Sequence, residues 1–279
     1  MLRIAAVQTN SSSDIEDNLE RIVPILEQCR DDGCVMVVLP ECFALMQKHR
    51  RQLIDRAEKF GSGLIQDWLA SESNRLGMYL IGGSIPLQSD DPVRITNSSL
   101  VYNDLGTCIA RYDKIFLFDV QLSKDESYTE SDYTKAGSRI VVVDTPLGNI
   151  GLSICYDLRF PELYRSLVNC GANVLVVPSA FAYRTGFVHW TPLLKARAIE
   201  NTSYFVAPAQ FGTHNGNRKT WGNTMILNPW GKVIQRLEEG WGYISANVNL
   251  QEIESVRKQL PSLKHQRFDI FGTPSSSSE

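Results

Sequence analysis

Two kinds of apolar pattern alternate along the chain. Residues 2–8 (LRIAAVQ) form a short, nearly continuous apolar run, the pattern of a buried strand. Behind it Ile15, Leu19, Ile22, Leu26 and Cys29 recur at steps of four, three, four and three, which places them on one helix face. Ser13 and Glu16 predict a capping box ahead of that helix, and Asp31-Asp32-Gly33 ends it. Residues 35–39 (VMVVL) are again continuously apolar, as expected of a strand covered on both faces, and run into Pro40-Glu41. Strand, helix and strand with short links make a βαβ-like opening.

The pattern next predicts a helix over 61–76, a strand over 78–85 and a hairpin of 96–102 with 107–111 around Asn103-Asp104-Leu105-Gly106. Residues 123–137 are polar without clear periodicity and read as a long loop. The α/β alternation then restarts. Strands are predicted over 140–143 and 149–155, a helix over Pro161–Asn169 with Pro near its first turn and Gly171 beyond its end, and a buried strand over 173–178. Thr191-Pro192 reads as N-cap and first helical residue of a helix reaching Asn201. A strand over 204–210, a polar loop over 212–221, strands over 224–227, 232–236 and 243–248, and a helix over 250–258 complete the chain. VMVVLPE and VLVVPSA share one pattern, read either as a weak internal repeat in two facing layers or as ordinary α/β grammar. No linker splits the chain, so 1–272 is expected to be one domain and the low-complexity end, 273–279, a disordered tail.

Composition adds exclusions. The 279 residues are 43% hydrophobic and 21% charged with net charge −3, which gives no nucleic-acid footprint. No apolar run is long enough for a membrane span, and MLRIAAVQTN lacks the layout of a signal peptide. The six cysteines form no CxxC pair, which argues against a disulfide framework or zinc site and for a reducing cytoplasm.

The candidate chemistry sits where apolar strands stop. Glu41 follows VMVVL, Lys114 follows the hairpin strand in RYDK, and Cys155 ends the run in GLSICYDLRFPEL. Open α/β sheets build sites beyond the carboxyl ends of strands, so these three could meet in space. A thiol needs a base to become a nucleophile, and Glu41 could take its proton and return one to a departing amine. Lys114 and the backbone N–H of Tyr156 could hold the charge that attack throws onto an amide oxygen. Such acyl transfer needs no metal and no organic cofactor. A cysteine–histidine pair stays open as an alternative, because spacing does not place the histidines. A catalytically idle scaffold is the rival of another class, and an intact thiol, base and cation argue against it.

LPE ending in Glu41, RYDK ending in Lys114 and followed by FLFD, and SICYD around Cys155 resemble the Glu, Lys and Cys motifs of the nitrilase superfamily of carbon–nitrogen hydrolases. The resemblance runs from LRIAAVQ to ANVNL. It implies a four-layer α-β-β-α sandwich and a homodimer or larger homo-oligomer whose outer layers pack together. It also implies a second glutamate, matched by Glu130 in ESDYTKAG, that holds Lys114. The segments SAFAYRTGFVHW, KARAIEN and APAQFGTHN with NRKTWGN are most similar to the deaminated glutathione amidase branch, with the omega-amidases, acting on α-ketoglutaramate, as its sister. Thr191-Pro192 and Asn223 depart from the family pattern beside the expected pocket. The implied partner is a small amide carrying carboxylates, with another small amide, an N-carbamoyl compound or, last, a nitrile as the alternative substrates. Tyr156, Tyr183, Arg184 and Thr185 are taken to bind it, with Arg218 in the later polar loop as a further cation. Arg159 and Arg197 are expected to pair with Glu162 and Glu200, and His189 to orient or pack.

Overall fold

The computed structural model describes residues 2–47, 50–124, 126–215 and 218–267. The expected tail at 273–279 lies outside the described residues.

Two sheets form the centre. In the first, the strand order is Gly242–Val248, Leu2–Gln8, Cys34–Val38, Tyr79–Ile81, Ile95–Tyr102 and Ile85–Gln88, with Cys108–Asp113 also paired to Ile95–Tyr102. Along that order the pairings are antiparallel, parallel, parallel, antiparallel and antiparallel. In the second, the order is Val142–Thr145, Gly148–Leu152, Val174–Val176, Tyr204–Ala207, Thr224–Leu227 and Val233–Leu237. Its pairings run through the same series. The shared VMVVLPE and VLVVPSA pattern therefore belongs to two sheets of one topology.

The alternation of strand side chains decides the layers. Ile4, Ala6, Met36, Val38, Ile81 and Val101 pack with Leu152, Val174 and Ile226 of the second sheet. Their neighbours Ala5, Val7, Val37, Leu80 and Leu100 turn the other way. They meet Leu19, Ile22 and Leu26 of the helix Ile15–Asp31, and Ile65 and Leu69 of the helix Leu64–Leu76. The outer face of the second sheet is covered by Leu163, Tyr164 and Leu167 of the helix Pro161–Asn169 and by Trp190, Leu194 and Ala198 of the helix Tyr183–Asn201. The order is helix, sheet, sheet, helix, the expected four-layer sandwich. Among the described residues no helix is long and apolar enough to cross a membrane.

Several local expectations are corrected. Asp14, not Ser13, caps the first helix, its carboxylate accepting from the Asp17 amide at 3.1 Å. The strand expected over 78–85 breaks at Gly82-Gly83-Ser84 into Tyr79–Ile81 and Ile85–Gln88. A short helix, Arg50–Asp55, precedes Leu64–Leu76. The supposed loop 123–137 contributes the strand Ser127–Thr129, paired to Asp119–Gln121, and the 3-10 turn Glu130–Asp132. The supposed loop 212–221 is a hairpin of Phe211–Thr213 with Lys219–Trp221. Strands of three residues are too short to show a period.

The largest miss is the helix Tyr183–Asn201, expected to start at Thr191. Thr191 is internal, its hydroxyl facing the Met225 sulfur at 3.9 Å, and Pro192 occupies a helix-interior position. The first turns expose Phe187 and Val188 while Trp190 is buried, so apolar residues on all sides hid the stripe.

Candidate active site

The turn after the strand Cys34–Val38 carries Glu41 into the space between the sheets' ends, where it is buried. Gly83 makes this possible: a Cβ there would stand 1.9 Å from the Pro40 carbonyl oxygen. Ser84 Oγ then accepts from the Cys42 amide at 3.2 Å, closing the turn. Cys42 itself adopts φ 58°, a conformation that L-residues rarely take.

Lys114 follows the strand Cys108–Asp113 and is also buried. Its amide donates to the Asn97 carbonyl at 2.9 Å, and its carbonyl accepts from the Gly137 amide at 2.8 Å. A Cβ on Gly137 would meet the Asp113 carbonyl at 2.1 Å, so only glycine lets the two segments lie this close.

Cys155 lies beyond the strand Gly148–Leu152, at the first position of the 3-10 turn Cys155–Arg159. Its φ is 47°, a left-handed strain costing roughly 1–3 kcal/mol. Two contacts hold it there. The Cys155 amide donates to the Pro178 carbonyl at 2.9 Å, and Asp157 fastens both sides of the turn. One Asp157 oxygen accepts from the Ile154 amide at 2.8 Å and the Tyr112 hydroxyl at 2.7 Å; the other accepts from the Phe116 amide at 3.0 Å. Tyr112 and Phe116 flank Lys114, so one buried carboxylate sets the thiol turn against the lysine segment. Its burial outweighs those bonds and pushes Asp157 up to about 6.

The three elements bring their side chains together. Lys114 Nζ donates to Glu41 Oε1 at 3.2 Å and to the two oxygens of Glu130 at 3.1 and 2.8 Å. Asn97 Nδ2 donates to Glu41 Oε1 at 3.0 Å and to Glu130 Oε1 at 3.4 Å. Glu130 also accepts from the Phe118 amide at 2.7 Å. Glu41 Oε2 accepts from the Ala180 amide at 2.7 Å, and the Cys155 thiol lies close enough to the Glu41 carboxylate for each to shift the other's ionisation.

These partners set the charge states. Burial drives Glu41 toward its neutral form, but the Lys114 ammonium, the Cys155 thiol, Arg218 and the Ala180 amide together hold it below the ordinary carboxylate range. Burial would likewise discharge Lys114; Glu130 and Glu41 reverse this and raise it well above its usual value. Burial and the Glu41 charge raise the Cys155 thiol well above the usual range, with Lys114 opposing. At neutral pH the resting site is carboxylate, ammonium and thiol.

Glu41, Lys114, Glu130 and Cys155 line one pocket of about 880 Å³, open mouth included. Tyr156 and Thr185 line it too, whereas Tyr183 and Arg184 do not. Tyr183 stands outside against Trp221 with Lys219 over its ring, and exposed Arg184 donates to the Leu122 carbonyl at 3.0 Å. The early start of the Tyr183–Asn201 helix explains the correction, since its first turn points those side chains outward. Thr191, Pro192 and Asn223 lie off the pocket lining as well. No histidine lines the pocket among the described residues, so nothing there supports a cysteine–histidine pair. His189 instead meets Arg159 at 3.3 Å. Arg159 lies over the Tyr156 and Phe181 rings rather than pairing with Glu162, while Arg197 pairs with Glu200 at 3.0 Å as expected.

Three groups escaped the sequence reading, and a fourth was named there without being chosen. Asn97 is a polar residue within a predicted strand, a signal that was available. Asp157 stands inside the cysteine motif and could have been asked what it holds. The Ala180 amide leaves no trace in a sequence. Arg218 was noted as a cation but not chosen, because the polar loop around it shows no period that would aim its side chain.

The carbon–nitrogen hydrolase family model matches residues 3–258. Deaminated glutathione amidase of Yersinia enterocolitica is 38% identical over 95% of this chain and 93% of its own. That of Dictyostelium discoideum is 38% identical over 96% and 95%. The crystal structure of the Caenorhabditis elegans NitFhit protein superposes with TM-score 0.89 at 35% identity, covering 97% of this chain and 66% of the other. Saccharomyces cerevisiae Nit3, a member of branch 10 of the nitrilase superfamily, superposes with TM-score 0.84 at 29% identity over 93% and 94%. With the fold, the motifs and a match along nearly its whole length, the chain belongs to the carbon–nitrogen hydrolase family of the nitrilase superfamily, hydrolases of carbon–nitrogen bonds other than peptide bonds.

Proposed function

We propose that the chain is an amidase that removes ammonia from the terminal amide of a small dicarboxylate-type substrate, deaminated glutathione above others, through a thioester on Cys155. The observation that carries this reading is the Glu41 carboxylate, hydrogen-bonded to the Lys114 ammonium and the Ala180 amide and set in one pocket with the Cys155 thiol.

The chemistry follows from the resting charges. The thiol keeps its proton until substrate arrives, so proton transfer to Glu41 accompanies attack of the sulfur on the amide carbon. The carbonyl electrons move onto oxygen. Lys114 Nζ and the Tyr156 N–H, a donor that the start of the 3-10 turn leaves over, hold that charge. Glu41 passes its proton to the amide nitrogen, the carbon–nitrogen bond breaks and ammonia leaves. Water then gives a proton to Glu41 and attacks the thioester carbon. The carbon–sulfur bond breaks, the thiol regains its proton and the acid departs. Glu130 keeps Lys114 charged and aimed. No step calls for a metal or organic cofactor.

The substrate branch rests on the two relatives at 38% identity that bear that amidase name. Exposed Phe187 and Val188 on the outer layer supply apolar surface for a homodimer or larger assembly. One domain over 1–272 and a cytoplasmic setting complete the proposal, the latter supported by six free cysteines. The test is ammonia release from deaminated glutathione and from α-ketoglutaramate by the native chain and by Cys155→Ala. Preference for the first amide and a silent variant support the whole reading. Turnover of α-ketoglutaramate alone replaces the substrate and leaves the mechanism, and a Cys155→Ala protein that still turns over sinks the thioester.

A further inference from the structure

We propose that Arg218 is the receptor for a carboxylate on the substrate, which makes the pocket one for half-amides of dicarboxylic acids; this rests on the amidase reading above. Arg218 lines the same pocket as Cys155, and three observations set it apart from the other cation there. Lys114 is held between two carboxylates. Arg218 forms an ion pair with no carboxylate among the described residues, and its contacts are weak or neutral. Nη1 faces the Met46 sulfur at 3.6 Å, Nη2 donates to the Ala180 carbonyl at 3.3 Å, and the guanidinium lies 5.8 Å from the Tyr128 ring centroid. Buried Nε has no hydrogen-bond partner.

A guanidinium offers five N–H donors in a planar fork, and a carboxylate is the group that fills such a fork two bonds at a time. Leaving buried donors idle is unfavourable, and a carboxylate brought by the substrate would complete them. The pocket charge points the same way. Glu41 and Glu130 against Lys114 leave one net negative charge, which would repel an anionic substrate, and Arg218 cancels it. The link to the proposed base is short: Ala180 donates its N–H to Glu41 Oε2 and accepts from Arg218 through its carbonyl. A carboxylate on Arg218 is thereby tied, through the backbone of one residue, to the proposed base. The rival role is structural, with Arg218 serving only to offset the Glu41 charge and brace the Ala180 turn.

The experiment compares Arg218→Met and Arg218→Lys on glutaramate and on pentanamide, which carries a methyl group in place of the far carboxylate. The expected result is a fall of at least ~30-fold in the ratio of kcat/KM for glutaramate over pentanamide in Arg218→Met, with Arg218→Lys recovering part of the ratio because it keeps the charge. A parallel loss on both amides in both variants, with the ratio unchanged, assigns Arg218 a structural role and overturns the proposal. Calorimetry of glutarate with Cys155→Ala and with Cys155→Ala/Arg218→Met needs no turnover. If the native chain ignores both amides while glutarate binds the first protein and at least ~30-fold more weakly the second, the amidase reading fails and the carboxylate site stands. Equal binding with and without Arg218, or no binding at all, overturns the site whatever the amides show.

Discussion

The two sheets share one pairing series and differ in what they release at their ends. The first sheet's strand Cys34–Val38 leads into a turn that delivers a carboxylate. The second sheet's strand Gly148–Leu152 leads into one that delivers a thiol. Both exits contain a cysteine with left-handed backbone, but the strain sits differently. In the first it falls on Cys42, one residue past Glu41; in the second it falls on Cys155 itself. The first exit is secured by ions and amides around Glu41, the second by the Asp157 carboxylate behind the thiol. One architecture thus supplies a charged half-site whose integrity is electrostatic and a neutral half-site whose integrity is conformational.

That contrast can be broken, with the largest effect at the lysine. Lys114→Met leaves Glu41 and Glu130 buried side by side without their cation. Stability should fall by about 3–5 kcal/mol in urea unfolding, and ammonia release should vanish. A loss under 1 kcal/mol would show that the first half-site is not held by its ions. Glu41→Gln comes next. It keeps an acceptor for the Ala180 amide but cannot take the thiol proton, so kcat/KM should drop about 10³-fold, or about 4 kcal/mol. Activity within tenfold of native would remove Glu41 as the base.

His214 joins the hairpin beside the pocket to the chain leaving the first strand. One ring nitrogen meets the Ser11 carbonyl at 3.0 Å and the other the Thr220 hydroxyl at 2.7 Å. Burial lowers it from 6.5 to about 4. A depressed folded pKa means that the unfolded chain binds the proton first. The His214 contribution to stability is therefore complete above pH 6.5 and is lost as pH falls toward 4, by up to about 3 kcal/mol, while the raised Asp157 carboxyl works in the opposite direction over the same range. His214→Gln should flatten that limb of a pH series of unfolding curves, and an unchanged slope would exclude His214 as its origin. The smallest effect sharpens the conformational half. Cys155→Gly should be more stable than Cys155→Ala by about 1 kcal/mol, because glycine takes φ 47° without strain. If alanine is the more stable of the two, the strain is not there.

Much of this was legible along the chain, for reasons tied to particular residues. Ile15, Leu19, Ile22, Leu26 and Cys29 announced their helix because it has one buried face. Residues 35–39 and 173–178 announced strands because both faces of each are covered. Pro161–Asn169 was bounded correctly by Pro at one end and Gly beyond the other. The Tyr183–Asn201 helix was misread because its outer face is also apolar, and Tyr183 and Arg184 went with it out of the pocket. Glu41, Lys114, Glu130 and Cys155 were readable as motifs, and their convergence was an expectation from strand ends alone.

The sequence by itself determined the element types, the order of the motifs and the reactive groups, since these follow from local periodicity, turn residues and side-chain chemistry. The tertiary structure alone decided which charges those groups carry and which neighbours they have. Glu41 stays ionised because Lys114, 73 positions away (114 − 41), and the Ala180 amide from the other sheet reach it. Arg218 lines the pocket because a hairpin folds back from beyond the second sheet's long helix. Interactions of that kind depend on distances of a few ångströms between segments far apart in the chain, and no period or spacing along the sequence encodes them.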